Sequence, residues 1–218
     1  MPLNFTNHTV EKIGGTSMSR LSELLDPLFK VNDPEYGRIF VVSAFGGITN
    51  LLLEHKKSGE PGVYAHFANG TDDHGWLAAL SKGQNAMREA HDALLDHPAD
   101  RSEANDFVRD RIEGARSCLI DLHRLCSYGH FRLSAHMAIT RELLSGLGEA
   151  HSAYVTMLLL RRHGVNARFV DLSGWRDERE MNLEERIEDG LGAAFENAEV
   201  HIHVEPEEEA QQTGVPVL

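Results

Sequence analysis

Two kinds of hydrophobic spacing alternate along the chain. Thr9-Val10-Glu11-Lys12-Ile13 reads as a short strand that runs into Gly14-Gly15-Thr16-Ser17. Met18, Leu21, Leu24, Leu25 and Leu28 then recur at helical spacing, with Thr16 or Ser17 placed to cap one helix. Ile39-Phe40-Val41-Val42-Ser43-Ala44 is apolar almost throughout, as a buried parallel strand requires. It breaks at Gly46-Gly47, and Ile48-Thr49-Asn50-Leu51-Leu52-Leu53 opens a further helix. Strand, glycine turn and helix thus occur twice in succession, which predicts an α/β fold.

Gly59-Glu60-Pro61-Gly62 marks a loop, and a long helical stretch follows. Leu77, Leu80, Met87 and Leu94 share one face of a first long helix. Val108, Ile112, Ala115, Leu119, Leu122 and Cys126 step by four and three along a second, which ends at Tyr128-Gly129. Further helices are predicted over about Leu133 to Leu147 and, after Gly148-Glu149, over Ala150 to Arg162. Val165 to Val170 reads as the third strand, and the charged stretch Arg176 to Asp189 as a solvated helix face. Val200-His201-Ile202-His203-Val204 alternates like a strand; His201 and His203 lack a third ligand nearby, so a half-exposed strand is the better reading than a zinc site.

Composition narrows the function. Among 218 residues, 34 acidic against 21 basic groups give a formal charge of −13, which opposes nucleic acid or an anionic membrane surface as partner. No apolar run approaches the roughly 18 residues of a membrane helix. The first ten residues lack the pattern of a secretory signal. Cys118 and Cys126 lie eight positions apart on one predicted helix, about 12 Å, too far for a disulfide, and Cys126 reads as core. A reduced, cytoplasmic protein is expected.

The chemistry lies in the glycine turns. Glycine lets backbone approach a ligand closely, and a following helix aims N–H groups at it; phosphate is the natural guest, with Lys12 as a point charge beside it. Neither G-x-x-x-x-G-K-[ST] nor G-x-G-x-x-G is present. Taken singly, each Gly-Gly is an ordinary tight turn and Lys12 an ordinary surface lysine.

The combination says more. Lys12-Ile13-Gly14-Gly15-Thr16-Ser17, then Val41 to Leu52 with Phe45-Gly46-Gly47-Ile48-Thr49-Asn50 at its centre, then Gly148-Glu149-Ala150-His151-Ser152-Ala153, resembles the aspartate kinases of the amino-acid-kinase fold. The stretches 8–20, 38–64, 128–133 and 148–175 are similar to the branch that accompanies ectoine biosynthesis. The resemblance implies an incomplete amino-acid-kinase fold: a mainly parallel sheet flanked by helices, with a long helical excursion. Residues 1–198 would be the N-terminal part of the kinase domain and 199–218 an acidic tail.

It also implies transfer of the ATP γ-phosphoryl group to the β-carboxylate of L-aspartate. Lys12 would be the catalytic cation. Gly14, Gly15, Thr16 and Ser17 would cradle the ATP phosphates. Ser43 and Thr49 would hold the acceptor aspartate through hydroxyls and nearby amides, and Glu149 would pair with its α-amino group. Magnesium would bridge the phosphates, with no protein ligand to the metal evident. Outside that context Ser43 and Thr49 read as caps and Glu149 as a first-turn acid. An ionised carboxylate acceptor loses no proton, so His151 is not read as a base.

The sequence departs from the family after Trp175: no Gly-Arg-Gly-Gly-Ser-Asp segment follows, and neither do regulatory ACT domains. Impaired phosphoryl transfer by these residues alone is therefore expected. The alternative is a non-catalytic binding or interaction module that retains part of the kinase fold. A homo-oligomer or a complementing chain is the expected partner.

Overall fold

The computed structural model describes residues 9–25, 38–70, 73–176, 181–195 and 200–203, with 191–195 and 200–203 described by their backbone. The expected positions Leu28 and Val204 lie outside these residues, as does most of the acidic tail. The chain forms two compact units: residues 1–45 with 152–218, and residues 46–151 between them.

The first unit is built on a four-stranded parallel sheet. Its strands are β1 (Thr9–Ile13), β2 (Arg38–Val42), β3 (Ala167–Val170) and β4 (Val200–His203), in the order β1-β2-β4-β3. Lys12 is level with Val41 and Ile13 with Val42 across β1 and β2. Arg38 and Ala167 both stand level with Val200, so β4 is paired along both edges. Ile13, Ile39, Phe40 and Val42 are buried, which accounts for the unbroken apolar run of β2. Helix α8 (Leu183–Phe195) covers β3 through Ile187 against Val170 and Leu172. Its acidic residues Glu184, Glu185, Glu188 and Asp189 are exposed, as a solvated face requires. The third strand is shorter than its apolar run because Gly164 takes a φ of 85° and the Val165 N–H turns back to Leu160 O at 3.0 Å.

Arg38 is the charged exception in this core. It is only 8% exposed, lies 4.6 Å over the Phe40 ring, and donates from Nε and Nη2 to the two Glu11 carboxylate oxygens, each at 2.7 Å. Those hydrogen bonds hold the Glu11 pKa below its ordinary value. A depressed carboxylate stabilises the fold above its unfolded pKa, and that contribution is lost as pH falls through the folded value. The urea midpoint of Glu11→Gln is therefore expected to lie below that of the parent at neutral pH. The two midpoints should converge as pH falls below about 4; a gap that persists unchanged into acid would contradict this account.

One expected helix is two. Between α1 (Gly15–Met18) and α2 (Leu21–Leu24), Ser19 Oγ donates to Gly15 O and Arg20, at φ −122° and ψ 31°, leaves helical geometry to pair with Glu23. Thr16 and Ser17 are not caps: Gly14 occupies that position and no side chain caps α1.

The second unit is helical: α3 (Ile48–Leu52), α4 (Val63–Asn69), α5 (His74–Leu94), α6 (Pro98–Ser127) and the first part of α7 (Met137–Arg162). Helix α5 packs against α3, α4 and α6, burying Trp76, Leu80, Gly83, Met87 and His91 along one face. Gly83 lies where a Cβ would come 3.6 Å from Leu52 Cδ2, so α3 rests on α5 there. Helix α6 begins with Pro98 in its first turn and the His97 ring accepting from the Ala99 N–H, and it carries both cysteines. Its stripe is buried from Ala104 to Leu119 and thins beyond, leaving Leu122 and Cys126 half-buried and Cys118 exposed. Cys126 is thus a fringe residue rather than core.

The two helices expected on either side of Gly148-Glu149 are one continuous helix, α7, preceded by a 3-10 turn at Leu133–Ala135. Glycines 146 and 148 cost about 1 kcal/mol each in a helix interior. They stand in a run from Leu144 to Gly148 that is buried throughout, and burial of that face outweighs the propensity. Among the described residues no helix is long and apolar enough to cross a membrane.

Candidate active site

The first unit brings six of the expected site residues to the carboxyl ends of β1 and β2, the end at which open α/β sheets receive ligands. Lys12 is exposed on the last turn of β1, one residue before buried Ile13. Gly14 follows in extended geometry, φ −73° and ψ 159°, and its carbonyl accepts the Met18 N–H at 2.9 Å. A Cβ on Gly14 would meet open space, whereas one on Gly15 would lie 3.2 Å from Ala44 O. Gly15 is therefore small because β2 exits beside it. Gly14 presents bare backbone outward, with Thr16 and Ser17 exposed next to it on the uncapped start of α1. An anionic group fits that surface.

Ser43 ties the end of β2 to the end of β1 and to Ser152. Its N–H donates to Ile13 O at 3.0 Å, and its carbonyl accepts from Ser152 Oγ of α7 at 2.8 Å. Its own amide is thus engaged in the fold, which leaves the half-buried hydroxyl, rather than that amide, for a ligand. Ser152 was not among the expected residues, although it belongs to the third motif.

Thr49 and Glu149 lie in the second unit. Gly47 caps α3 in left-handed geometry, φ 88°, a setting glycine adopts without strain. Thr49, half-buried, is inside α3 and is not its cap. Glu149 is half-buried in the interior of α7, so the reading as a first-turn acid does not apply.

Two residues beyond Glu149, His151 is 1% exposed and its Nε2 lies 2.8 Å from Nε2 of His91, which is fully buried. His91 Nδ1 contacts Asn105 Oδ1 of α6 at 2.9 Å. Burial lowers the pKa of His91, and it pushes that of His151 well below the ordinary histidine value. Both rings are neutral at neutral pH. His91 was legible as a polar residue four positions past Met87 on the apolar stripe of α5. Among the described residues no cluster of three His, Cys, Asp or Glu is poised to hold a metal ion; the side chains of His201 and His203 lie outside them.

The family model of the amino acid kinase family matches residues 7–203. The chain belongs to the amino acid kinase family. It is 49% identical over 183 residues to the aspartate kinase Ask_Ect of Stutzerimonas stutzeri (strain A1501), covering 83% of this chain and 38% of that protein. Its fold matches E. coli aspartokinase III in complex with aspartate and ADP (R-state) at a TM-score of 0.50, 22% identity and 90% coverage of this chain. The same enzyme in complex with lysine and aspartate (T-state) matches at a TM-score of 0.51 and 20% identity. At those identities the likeness speaks for the fold alone. The chain spans about two fifths of the length of these relatives, 38% of the first and 40% of the second, and fits their N-terminal portion. The match to Ask_Ect agrees with the branch expected from the motifs, and this amino acid kinase carries the α/β fold that its glycine turns predict.

Proposed function

We propose that these residues form the ATP-phosphate and aspartate-binding part of an aspartate kinase, which transfers the γ-phosphoryl group of ATP to the β-carboxylate of L-aspartate. The observation that carries this reading is the gathering of Lys12, Gly14, Gly15, Thr16, Ser17 and Ser43 at the carboxyl ends of β1 and β2, tied by the Ser43 N–H to Ile13 O bond, with Lys12 exposed among them. Lys12 neutralises the migrating phosphoryl oxygens. Gly14 and Gly15 offer backbone N–H groups, and Thr16 and Ser17 hydroxyls, to the ATP phosphates. The hydroxyls of Ser43 and Thr49 hold the acceptor, and Glu149 receives its α-amino group so that the β-carboxylate faces ATP. Phosphoryl transfer needs alignment and charge neutralisation more than covalent help, and these groups supply both. Magnesium would arrive on the ATP phosphates and spread their charge, a mode that asks for few protein ligands. The reading places the protein in the cytoplasm, with a second copy or a complementing chain as partner.

The sequence lacks the Gly-Arg-Gly-Gly-Ser-Asp segment, so binding with little turnover is the outcome expected of the 218 residues by themselves. Calorimetry with magnesium-ATP and with aspartate, followed by hydroxylamine trapping of aspartyl phosphate, tests both parts. Binding of both ligands with only a trace of hydroxamate is expected. Rapid hydroxamate formation that requires Lys12 would overturn the expected impairment. A folded sample that binds neither ligand would overturn the kinase reading and leave the non-catalytic interaction module in its place.

A further inference from the structure

We propose that the buried His91–His151 contact is a positioning device for the acceptor site: by locking α7 against α5 it sets the direction in which Glu149 leaves its helix. The proposal rests on the reading of Glu149 as the group that receives the aspartate α-amino group.

The hydrogen-bond chain runs from half-buried Asn105 to the buried histidine pair. Asn105 presents Oδ1 to His91 Nδ1, so that nitrogen carries the proton and donates. His91 Nε2 is then the acceptor, and His151 must donate to it from Nε2, at 2.8 Å. Three helices, α5, α6 and α7, are thereby joined by one directional chain. The charged groups felt by His91 are Asp92 and Arg88, both on α5, and they act in opposite senses. The pair is held neutral by burial, not by an ion pair.

Helix geometry converts that lock into control of Glu149. Successive side chains leave a helix about 100° apart, so His151 and Glu149 emerge about 200° apart, on opposite sides of α7. A helix free to roll by about 20° would carry a side-chain tip about 5 Å from its axis through about 2 Å. A misplacement of about 1 Å in a reactive constellation already costs about 100-fold. A second tether of α7 within this unit, Arg141 to Glu54 at 3.0 Å with Arg141 5.2 Å over the Tyr64 ring, is about one third exposed at both ends and therefore weaker. The buried pair adds a directional constraint to the apolar packing of Leu144, Leu147 and Ala150 on the same helix. The same α5 supports Thr49, because α3 rests on it at Leu52 and Gly83. One helix thus sets the placement of both acceptor-binding residues.

Binding of aspartate and of magnesium-ATP to the full 218-residue chain separates positioning from general damage. His151→Leu removes the donor and is expected to weaken aspartate by about 10-fold or more while ATP affinity stays within about twofold. His151→Gln keeps an amide N–H that can donate to His91 Nε2, and it should restore aspartate affinity to within about threefold of the parent. If the leucine variant does not fold, Asn105→Leu, which breaks the chain at its far end on α6, must show the same selective loss of aspartate. A folded His151→Leu or Asn105→Leu protein that binds aspartate like the parent would overturn the proposal. A parent chain that binds ATP but no aspartate would instead remove the acceptor-site reading on which it rests.

Discussion

Replacing Lys12 with alanine is expected to weaken ATP about 10- to 100-fold and to leave ADP unchanged within about twofold. The lysine stands exposed near the end of β1, ahead of the glycines; in the proposed site its ammonium would face the terminal phosphoryl group and the Gly14-Gly15 backbone the inner phosphates. A charge-assisted hydrogen bond in such a setting contributes about 1.5–3 kcal/mol, and each 1.4 kcal/mol is about tenfold in affinity. Lys12→Arg should recover only part of the loss, since a planar fork does not replace a compact point charge. Titration calorimetry with ATP and ADP in parallel reads the difference. Equal weakening of both nucleotides would place Lys12 on the inner phosphates, and no weakening would remove it from the site.

The second large effect concerns a residue outside the proposed site. A Cβ added to Gly62 would stand 2.5, 2.6 and 2.7 Å from the carbonyl oxygens of Leu51, Leu53 and Asn50, all backbone and all at the end of α3. The Gly62 N–H meanwhile donates to Leu53 O at 3.0 Å, so the segment cannot retreat without giving up that bond. Gly62→Ala is therefore expected to cost about 3 kcal/mol or more of unfolding free energy. Gly59→Ala supplies the contrast: its φ of 70° is unfavourable to alanine but open space surrounds it, and about 1–2 kcal/mol is expected. Urea denaturation distinguishes them; comparable losses in the two variants would mean that crowding at α3 is relieved by movement. Because α3 carries Thr49, any surviving Gly62→Ala protein should also bind aspartate less tightly.

Local pattern carried the sequence a long way here. Both strand–glycine–helix passages, the stripe of α6 as far as Leu119 and the positive-φ glycine after Tyr128 lie where hydrophobic spacing and turn chemistry place them. On α5 the expected Leu80 and Met87 are buried, while Leu77 and Leu94 are half-buried beside a face completed by Trp76, Gly83 and His91. The first two motifs were legible as glycine turns for the same reason: each is a few adjacent residues whose geometry is local. What escaped is set at a distance. Ser19 and Arg20 break α1 from α2 through side-chain bonds that no periodicity announces. Gly148 looked like a helix end because propensity cannot register the burial that carries α7 through it. The confinement of Gly62 depends on three carbonyls of another element, and the His91–His151 pair joins helices sixty positions apart in the chain. None of these leaves a mark on its own neighbours in sequence.

The place of β4 has a consequence for how the protein is made. Strands β2 and β3 do not touch; β4, the last strand described, lies between them and completes both ladders. A nascent chain emerging from the ribosome can finish the helical unit, residues 46–151, as one uninterrupted local stretch. The sheet must wait with the inner edge of β2 and that of β3 unsatisfied until residues 200–203 arrive. Pairing between the ends of a long chain closes slowly. During that interval two exposed edges are open to strands of other molecules. Synthesis that stalls before β4 would release a chain with a finished helical half and a sheet whose β2 and β3 edges are both open.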